Sequence, residues 1–137
     1  MNKKQKSLTN KGFSLVELII VIAIMAVLVG VLAPQYLKYV HNSKVSTDAQ
    51  NAQEMATAIN VAIADQKKAF STANNVDWDE VGVKAPVSKL TTDNTSWTIE
   101  GDNTKGVTAI KLTYDGTVYI CYPNPDTTGT GINTLKK

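Results

Sequence analysis

The residue types that most often carry catalysis or bind metals are scarce in this chain. It has one His (His41), one Cys (Cys121) and no Arg. A single His and a single Cys cannot form a His/Cys zinc cluster or an intrachain disulfide, and a lone His would have to serve every role in nucleophile–base catalysis. Without Arg, bidentate recognition of phosphates or bases is disfavoured. The sequence therefore predicts that the chain is not an enzyme, with no cofactor, no metal site and no direct nucleic-acid site.

One carboxylate stands out because it lies inside an apolar run. Residues 13–33 contain only two clearly polar side chains, Ser14 and Glu17, and residues 1–12 carry four Lys and no acid. As a helix, 21 residues span about 31 Å, which is enough to cross the hydrocarbon core of a bilayer. Lysines before the span favour a cytoplasmic N-terminus and an exported remainder. The pattern predicts a single-pass protein of the cell membrane.

A removed secretory signal is the alternative reading of this segment. The apolar run is longer than the usual 7–15 residues of such a signal. A cut after Val31-Leu32-Ala33 would also place Pro34 directly behind the cleavage site. Both features favour a span that is retained.

Glu17 has two interpretations from its position alone. Near the membrane interface its carboxylate reaches back to the cytoplasmic headgroups, close to Lys11, at a modest cost. Alternatively it pairs with a cation in a later, lipid-free state, since a buried charge persists only when it is paired.

The stretch KGFSLVE at residues 11–17, the aliphatic run behind it and PQY at residues 34–36 together resemble the prepilin signature of the type IV pilin superfamily. The resemblance covers about residues 1–39. It implies that a prepilin peptidase removes the basic leader, residues 1–12, by cutting between Gly12 and Phe13, and then methylates the amine of Phe13. It further implies that an assembly ATPase and a platform protein extract the chain from the membrane into a helical homopolymer, the extracellular pilus.

The resemblance also assigns roles to individual residues. Glu17 of one subunit pairs with the Phe13 amine of a neighbour and so fixes the axial register of assembly. Gly12 has no side chain, which lets an extended backbone enter a narrow protease cleft. Pro34 lacks the N–H that would bond the Gly30 carbonyl, so residues 30–34 form a weak point in the helix.

Helical periodicity continues beyond the span. Apolar residues recur at steps of four and three, and polar residues, Asp48 among them, fill the positions between. This apolar stripe consists of Val45, Ala49, Ala52, Ala56, Ile59 and Ile63. We expect one helix from about Ser14 to about Ala69, with residues 13–34 as the transmembrane and filament-core part and residues 35–70 as an amphipathic second half. A coiled-coil dimer is the alternative, although the stripe residues are small for one. His41, at the exit from the span, is expected to be solvated.

The remainder predicts a small β head. Residues 71–96 read as a connecting loop with one helical turn at residues 77–81, and residues 97–137 read as an antiparallel head with a C-terminal loop along the sheet edge. Within that head, Asp115-Gly116 marks a hairpin between two strands. The predicted fold class is α+β, with a long N-terminal helix packed under a three-stranded antiparallel sheet.

The hairpin leaves two registers open. A two-residue turn places Cys121 in the core beside Ile110, whereas a one-residue bulge places Val118 and Ile120 there and turns Cys121 outward. A buried, inert thiol is the expected outcome, since free Cys is among the most buried residue types.

The function expected from these features is that of a structural subunit of a type IV pilus, which polymerises through its N-terminal helix into a surface filament for motility and adhesion. A pseudopilin of a type II secretion or DNA-uptake system is the alternative within the superfamily. A monomeric single-span membrane protein with a binding head is the alternative from another class, and Glu17 weighs against it because a permanently lipid-embedded span gains little from a carboxylate.

Overall fold

A computed structural model describes residues 12–137 of the chain. The predicted leader, apart from Gly12, lies outside the described residues. The chain divides between Lys38 and Tyr39 into two units. We call the described part of the first, residues 12–38, the N-terminal unit, and the second, Tyr39–Lys137, the head.

The long helix α1 runs from Leu15 to Ala64 and contains Pro34. Its first half is long and apolar enough to cross a membrane, and the side chains of that stretch are exposed in the single chain. The helix continues through Gly30 and Pro34. A reduced stability of residues 30–34 therefore remains a prediction.

The helix ends earlier than the sequence indicates, at Ala64 instead of about Ala69. The Lys67 N–H donates to the Ala62 carbonyl at 2.9 Å, and the Gln66 N–H donates to Ile63 at 2.9 Å. With Gln66 at φ +63°, these two bonds form a Schellman cap. Gly is the usual residue at this left-handed position, and here it is Gln. The sequence therefore gives no signal that the helix ends at Ala64.

The segment expected to be a connecting loop contains regular structure. Strands β1 (Phe70–Thr72) and β2 (Asn75–Val76) form a small antiparallel hairpin. The predicted turn is present as the short helix α2 (Trp78–Val81), whose first N–H groups are capped by the Asp77 carboxylate. The strands are too short for their alternation to be read from sequence.

The predicted three-stranded antiparallel sheet is confirmed. It consists of β3 (Trp97–Asp102), β4 (Gly106–Tyr114) and β5 (Thr117–Tyr122), in that order across the sheet. Buried residues of the sheet and of the head part of α1 form one core cluster. The helix contributes Val45, Ala52, Met55, Ala56, Ile59 and Ala62.

Of the two registers considered, the β4–β5 hairpin adopts the one with a two-residue turn. Tyr114 pairs with Thr117, and the two residues between them, Asp115 and Gly116, have φ of +51° and +75°. Positive φ at both positions is the type I′ geometry that Asp-Gly favours. The ladder shifts later, between Ile110 and Lys111, and Cys121 is buried with 2% of its surface exposed.

Burial of Cys121 leads to a testable expectation for its reactivity. Desolvation, and next the nearby negative charge of Asp48, raise the pKa of the thiol to about 12. Because the thiolate is the reacting form, a thiol reagent should label native Cys121 very slowly at neutral pH and quickly in denaturant. Val118→Cys in a Cys121→Ala background is the matched control, since Val118 lies on the same strand with 49% of its surface exposed. Equal native labelling rates at the two positions would contradict the burial.

The C-terminal segment, predicted as a loop along the sheet edge, contacts both the sheet and α1 through its backbone. Ile120 forms an isolated parallel bridge with Gly131, and the following 3₁₀ helix (Ile132–Leu135) buries Ile132 completely. His41, which was expected to be solvated, is half-buried, and its Nε2 donates to the Leu135 carbonyl at 2.9 Å. Asn42 also exchanges two hydrogen bonds with the backbone of Lys137, at 2.9 and 3.0 Å.

Asp48 lies in the buried face of α1, not on the polar face to which the sequence assigned it. Its carboxylate accepts hydrogen bonds from the Ser88 hydroxyl at 2.8 Å, the Lys89 N–H at 2.7 Å and the Leu90 N–H at 3.0 Å. These three donors replace the water that the carboxylate loses on burial. Asp48 therefore ties the loop before β3 to the helix.

Replacing Asp48 with Ala should destabilise the head by about 3 kcal/mol, because it leaves buried donors without an acceptor. Urea unfolding of the detergent-solubilised full chain, followed by tryptophan fluorescence, measures this. Glu54→Ala is the control, since Glu54 is exposed on the same helix, and it should change the free energy of unfolding by less than about 0.5 kcal/mol. Equal effects of the two substitutions would show that the Asp48 contacts contribute little.

Candidate processing and assembly site

The residues expected to undergo processing lie consecutively at the start of α1. Gly12 has φ +79°, in the left-handed region that favours glycine, and among residues 12–137, its chain neighbour aside, no atom lies within 4 Å of where a Cβ would stand. Phe13 exposes 77% of its surface. The peptide bond between these two residues thus precedes the first helical residue, Leu15, and is open to a partner.

Ser14 and Glu17 cap the helix reciprocally. The Ser14 N–H donates to Glu17 Oε2 at 3.3 Å, and the Glu17 N–H donates to Ser14 Oγ at 3.3 Å. This is a capping box, in which a Ser at the N-cap and a Glu three residues later satisfy two N–H groups that the helix leaves unpaired. The Leu18 N–H then donates to the Ser14 carbonyl at 3.2 Å as the first helical bond.

The capping box sets where the helix begins relative to the candidate cleavage bond. Without a cap at Ser14, an apolar helix of this length could extend backward by further residues, since each added residue gains a backbone hydrogen bond. The cap is worth about 1 kcal/mol and ends the helix at this point. As a result Gly12 and Phe13 have a non-helical backbone.

The role of Ser14 was missed in the sequence interpretation, although a signal for it was present. Ser-x-x-Glu directly before an apolar run is the sequence signature of a capping box. In the single chain, the capping box explains the presence of Glu17 without an interaction near Lys11 and without the amine of a neighbouring subunit. Of those two partners, Lys11 lies outside the described residues, and a neighbour's amine belongs to a second chain.

His41 and Cys121 are the two side chains of the head whose types most often take part in catalysis, and both contact the backbone. His41 donates to Leu135, and Cys121 Sγ lies 3.7 Å from the Tyr119 carbonyl. Within residues 12–137, no group of three or more His, Cys, Asp or Glu side chains is arranged to hold a metal ion. The candidate site of this chain is therefore its capped N-terminal segment.

An apolar helix that starts at a capped Ser-x-x-Glu and continues into an α+β head is consistent with the pilin fold that the sequence predicted. Comparison with known proteins agrees with this class. The family model for the prokaryotic N-terminal methylation motif matches residues 8–33. This range includes the candidate cleavage bond, Glu17 and the whole apolar run of residues 13–33.

The relatives are fimbrial proteins. The chain is 44% identical over 59 residues to a type IV major fimbrial protein FimA of Dichelobacter nodosus, a match that covers 43% of this chain and 37% of the relative. It is 36% identical over 67 residues to a fimbrial protein of Pseudomonas aeruginosa, covering 49% of this chain and 44% of the relative. No solved structure matches the chain significantly.

These matches confirm the resemblance to the type IV pilin superfamily that the sequence predicted. They also agree with the prediction that the chain is not an enzyme, because the names of these relatives describe fimbrial proteins. The matched segments span less than half the length of these curated relatives.

Proposed function

We propose that the chain is a structural subunit of a type IV pilus. In this proposal a prepilin peptidase cuts between Gly12 and Phe13 and methylates the new amine of Phe13. The subunit then polymerises through α1 into a filament on the cell surface. The observation that carries the proposal is the capping box of Ser14 and Glu17, which starts the helix just after an exposed Gly12–Phe13 bond and places a carboxylate one turn from the new amine.

The charge balance supports an assembly role for the cleavage. Removing the leader takes four of the 14 Lys and leaves 10 against 12 acidic residues, a side-chain charge of −2. The cut also creates a positive amine at Phe13, which stays positive when methylated. In a packed bundle of helices, Glu17 of one subunit pairs with this amine of a neighbour. Such a pair specifies register more than it adds stability.

The exposed surface of the N-terminal unit supports both a membrane stage and a filament stage. Large apolar side chains along this helix expose half or more of their surface in the single chain. Exposing an apolar surface of that extent to water is unfavourable, so lipid or other helices must cover it. Examples around the full circumference are Leu18, Ile19, Ile20, Val21 and Ile22.

The remaining partners follow from the same proposal. Before assembly the chain spans the cell membrane once with its N-terminus in the cytoplasm, since the leader is basic. A platform protein and an assembly ATPase extract it into the extracellular filament. Motility and adhesion are the activities that such a filament would support.

Fractionation of cells that express the chain at native level tests the proposal. We expect the processed chain in filaments sheared from the cell surface, and loss of those filaments when the gene is deleted. Processed chain found only in the cell-bound fraction would instead favour a pseudopilin of a secretion or DNA-uptake system. Unprocessed chain in the membrane, with no filament, would contradict the proposal and favour a monomeric membrane protein with a binding head.

A further inference from the structure

Residues 131–137 connect the edge strand β5 of the sheet with α1 inside the head. At one end, Gly131 forms the bridge with Ile120 of β5, whose N–H donates to the Thr130 carbonyl at 2.6 Å. At the other end, the backbone of Lys137 exchanges two hydrogen bonds with the Asn42 side chain, at 2.9 and 3.0 Å. We call residues 131–137 the strap.

Between its two ends the strap packs on the core of the head. Ile132 is completely buried, and Leu135 packs against the core cluster. The Leu135 carbonyl also accepts the hydrogen bond from His41 Nε2 at 2.9 Å. Three hydrogen bonds therefore join the strap to two successive residues of α1, His41 and Asn42.

These contacts lie where α1 enters the head. The head begins at Tyr39, and the first buried side chain of α1 is Val45, so His41 and Asn42 precede the helix residues that form the core. A force that reaches the head through α1 therefore meets the contacts of the strap before those of the core. One Cys cannot form an intrachain disulfide, so hydrogen bonds and packing alone make this connection.

We propose that the strap is a mechanical clamp, which holds the beginning of the head part of α1 against the sheet when the chain is pulled through its helix. The inference rests on the proposed function, in which subunits are joined through α1 and tension on the filament passes along that helix. Contacts that are already broken in the transition state of unfolding control the unfolding rate, whereas contacts that are still intact there do not. Under a pull through α1, the contacts of the strap should be of the first kind.

A second Asn of the head binds a backbone residue in the same way and provides a matched control. Asn103 Oδ1 accepts the Phe70 N–H at 2.8 Å, and Asn103 Nδ2 donates to the Phe70 carbonyl at 2.6 Å. Asn103 lies in the turn between β3 and β4, outside the strap and outside the residues of α1 that contact it. Asn103→Ala and Asn42→Ala thus remove the same atoms and the same number of hydrogen bonds, but only Asn42→Ala weakens the clamp.

Unfolding of the detergent-solubilised full chain under constant force, in optical tweezers, tests the clamp. Handles are attached at Tyr39→Cys and Val118→Cys in a Cys121→Ala background, because both side chains are exposed and the force then loads α1 against the sheet. We expect Asn42→Ala to raise the unfolding rate about tenfold, since two hydrogen bonds of the clamp are lost. Asn103→Ala should change that rate by less than about twofold, because its contacts are still intact when the clamp opens.

A second pair of handles separates a clamp from a general contribution to stability. With handles at Thr98→Cys and Val118→Cys, on the two outer strands of the sheet, the force acts across the sheet, and Asn42→Ala should leave the unfolding rate within about twofold. An unchanged rate for Asn42→Ala in the first geometry would overturn the inference. Equal acceleration by the two Asn variants, or by Asn42→Ala in both geometries, would overturn it as well. These measurements use single chains, so such results leave the proposed function standing, whereas the absence of the chain from sheared filaments contradicts the proposed function and leaves the measured clamp unchanged.

Discussion

Replacing Glu17 with Val should give a chain that is still cut after Gly12 but fails to form filaments. Val suits the membrane better than Glu, so insertion and access to the peptidase are retained. In the filament, however, the Phe13 amine would be buried without a partner, which costs about 3–5 kcal/mol per subunit. We therefore expect filament yield to fall by at least a hundredfold, measured as the chain recovered in the sheared fraction relative to the processed chain in the membrane.

Two neighbouring substitutions separate the charge of Glu17 from its capping role. Glu17→Gln keeps an acceptor for the Ser14 N–H but removes the charge, and it should assemble as poorly as Glu17→Val. Ser14→Ala weakens the cap by about 1 kcal/mol but keeps the charge, and it should still form filaments. Normal filaments from Glu17→Gln would show that the cap, not the ion pair, is what assembly requires.

Replacing Gly12 with Val should block maturation almost completely. Gly12 has φ +79°, which a β-branched residue adopts only with strain, and its missing side chain is what a narrow protease cleft admits. The expected product is a full-length precursor that stays in the membrane, seen as an intact mass that includes the leader. Its N-terminal amine remains at Met1, so no filament should form.

Gly30→Val is the matched control for this substitution. Gly30 lies inside α1, and in the described part of the chain, its sequence neighbours aside, no side chain stands within 4 Å of the position a Cβ would take. A chain with Val there should be cut normally, whatever happens to its later assembly. Normal cutting of the Gly12→Val chain would contradict the assignment of the cleavage bond.

The parts of the fold that depend on local residues were predictable from sequence. The apolar run predicted the first half of α1, and Asp115-Gly116 predicted the β4–β5 turn and, with it, the burial of Cys121. In each case neighbouring residues carry the information, either as a hydrophobic period or as a turn that requires positive φ.

The parts that depend on distant partners were not predictable in the same way. Asp48 is buried three residues after Val45 in α1, yet a carboxylate is assigned to the surface by default because burial is unfavourable without donors. Its donors, at Ser88 to Leu90, come 40 residues later in the chain. His41 and Asn42 likewise meet the backbone of the C-terminal residues, more than 90 residues away.

The candidate site was predicted as a set of residues, whereas its capping geometry was missed although Ser-x-x-Glu signals it. The segment from Gly12 to Glu17 was identified through the resemblance, whereas the hydrogen bonds between Ser14 and Glu17 emerged from the structure. The same pair also explains why a carboxylate is tolerated in the free chain before any neighbour is present.

The most direct test of the central claim is the mass of the N-terminal peptide from filaments sheared off cells at native expression. The account predicts a peptide that begins at Phe13 and carries one additional methyl group, because cleavage after Gly12 and methylation of the new amine precede assembly. A peptide that begins at Met1, or sheared filaments that lack this chain, would contradict it.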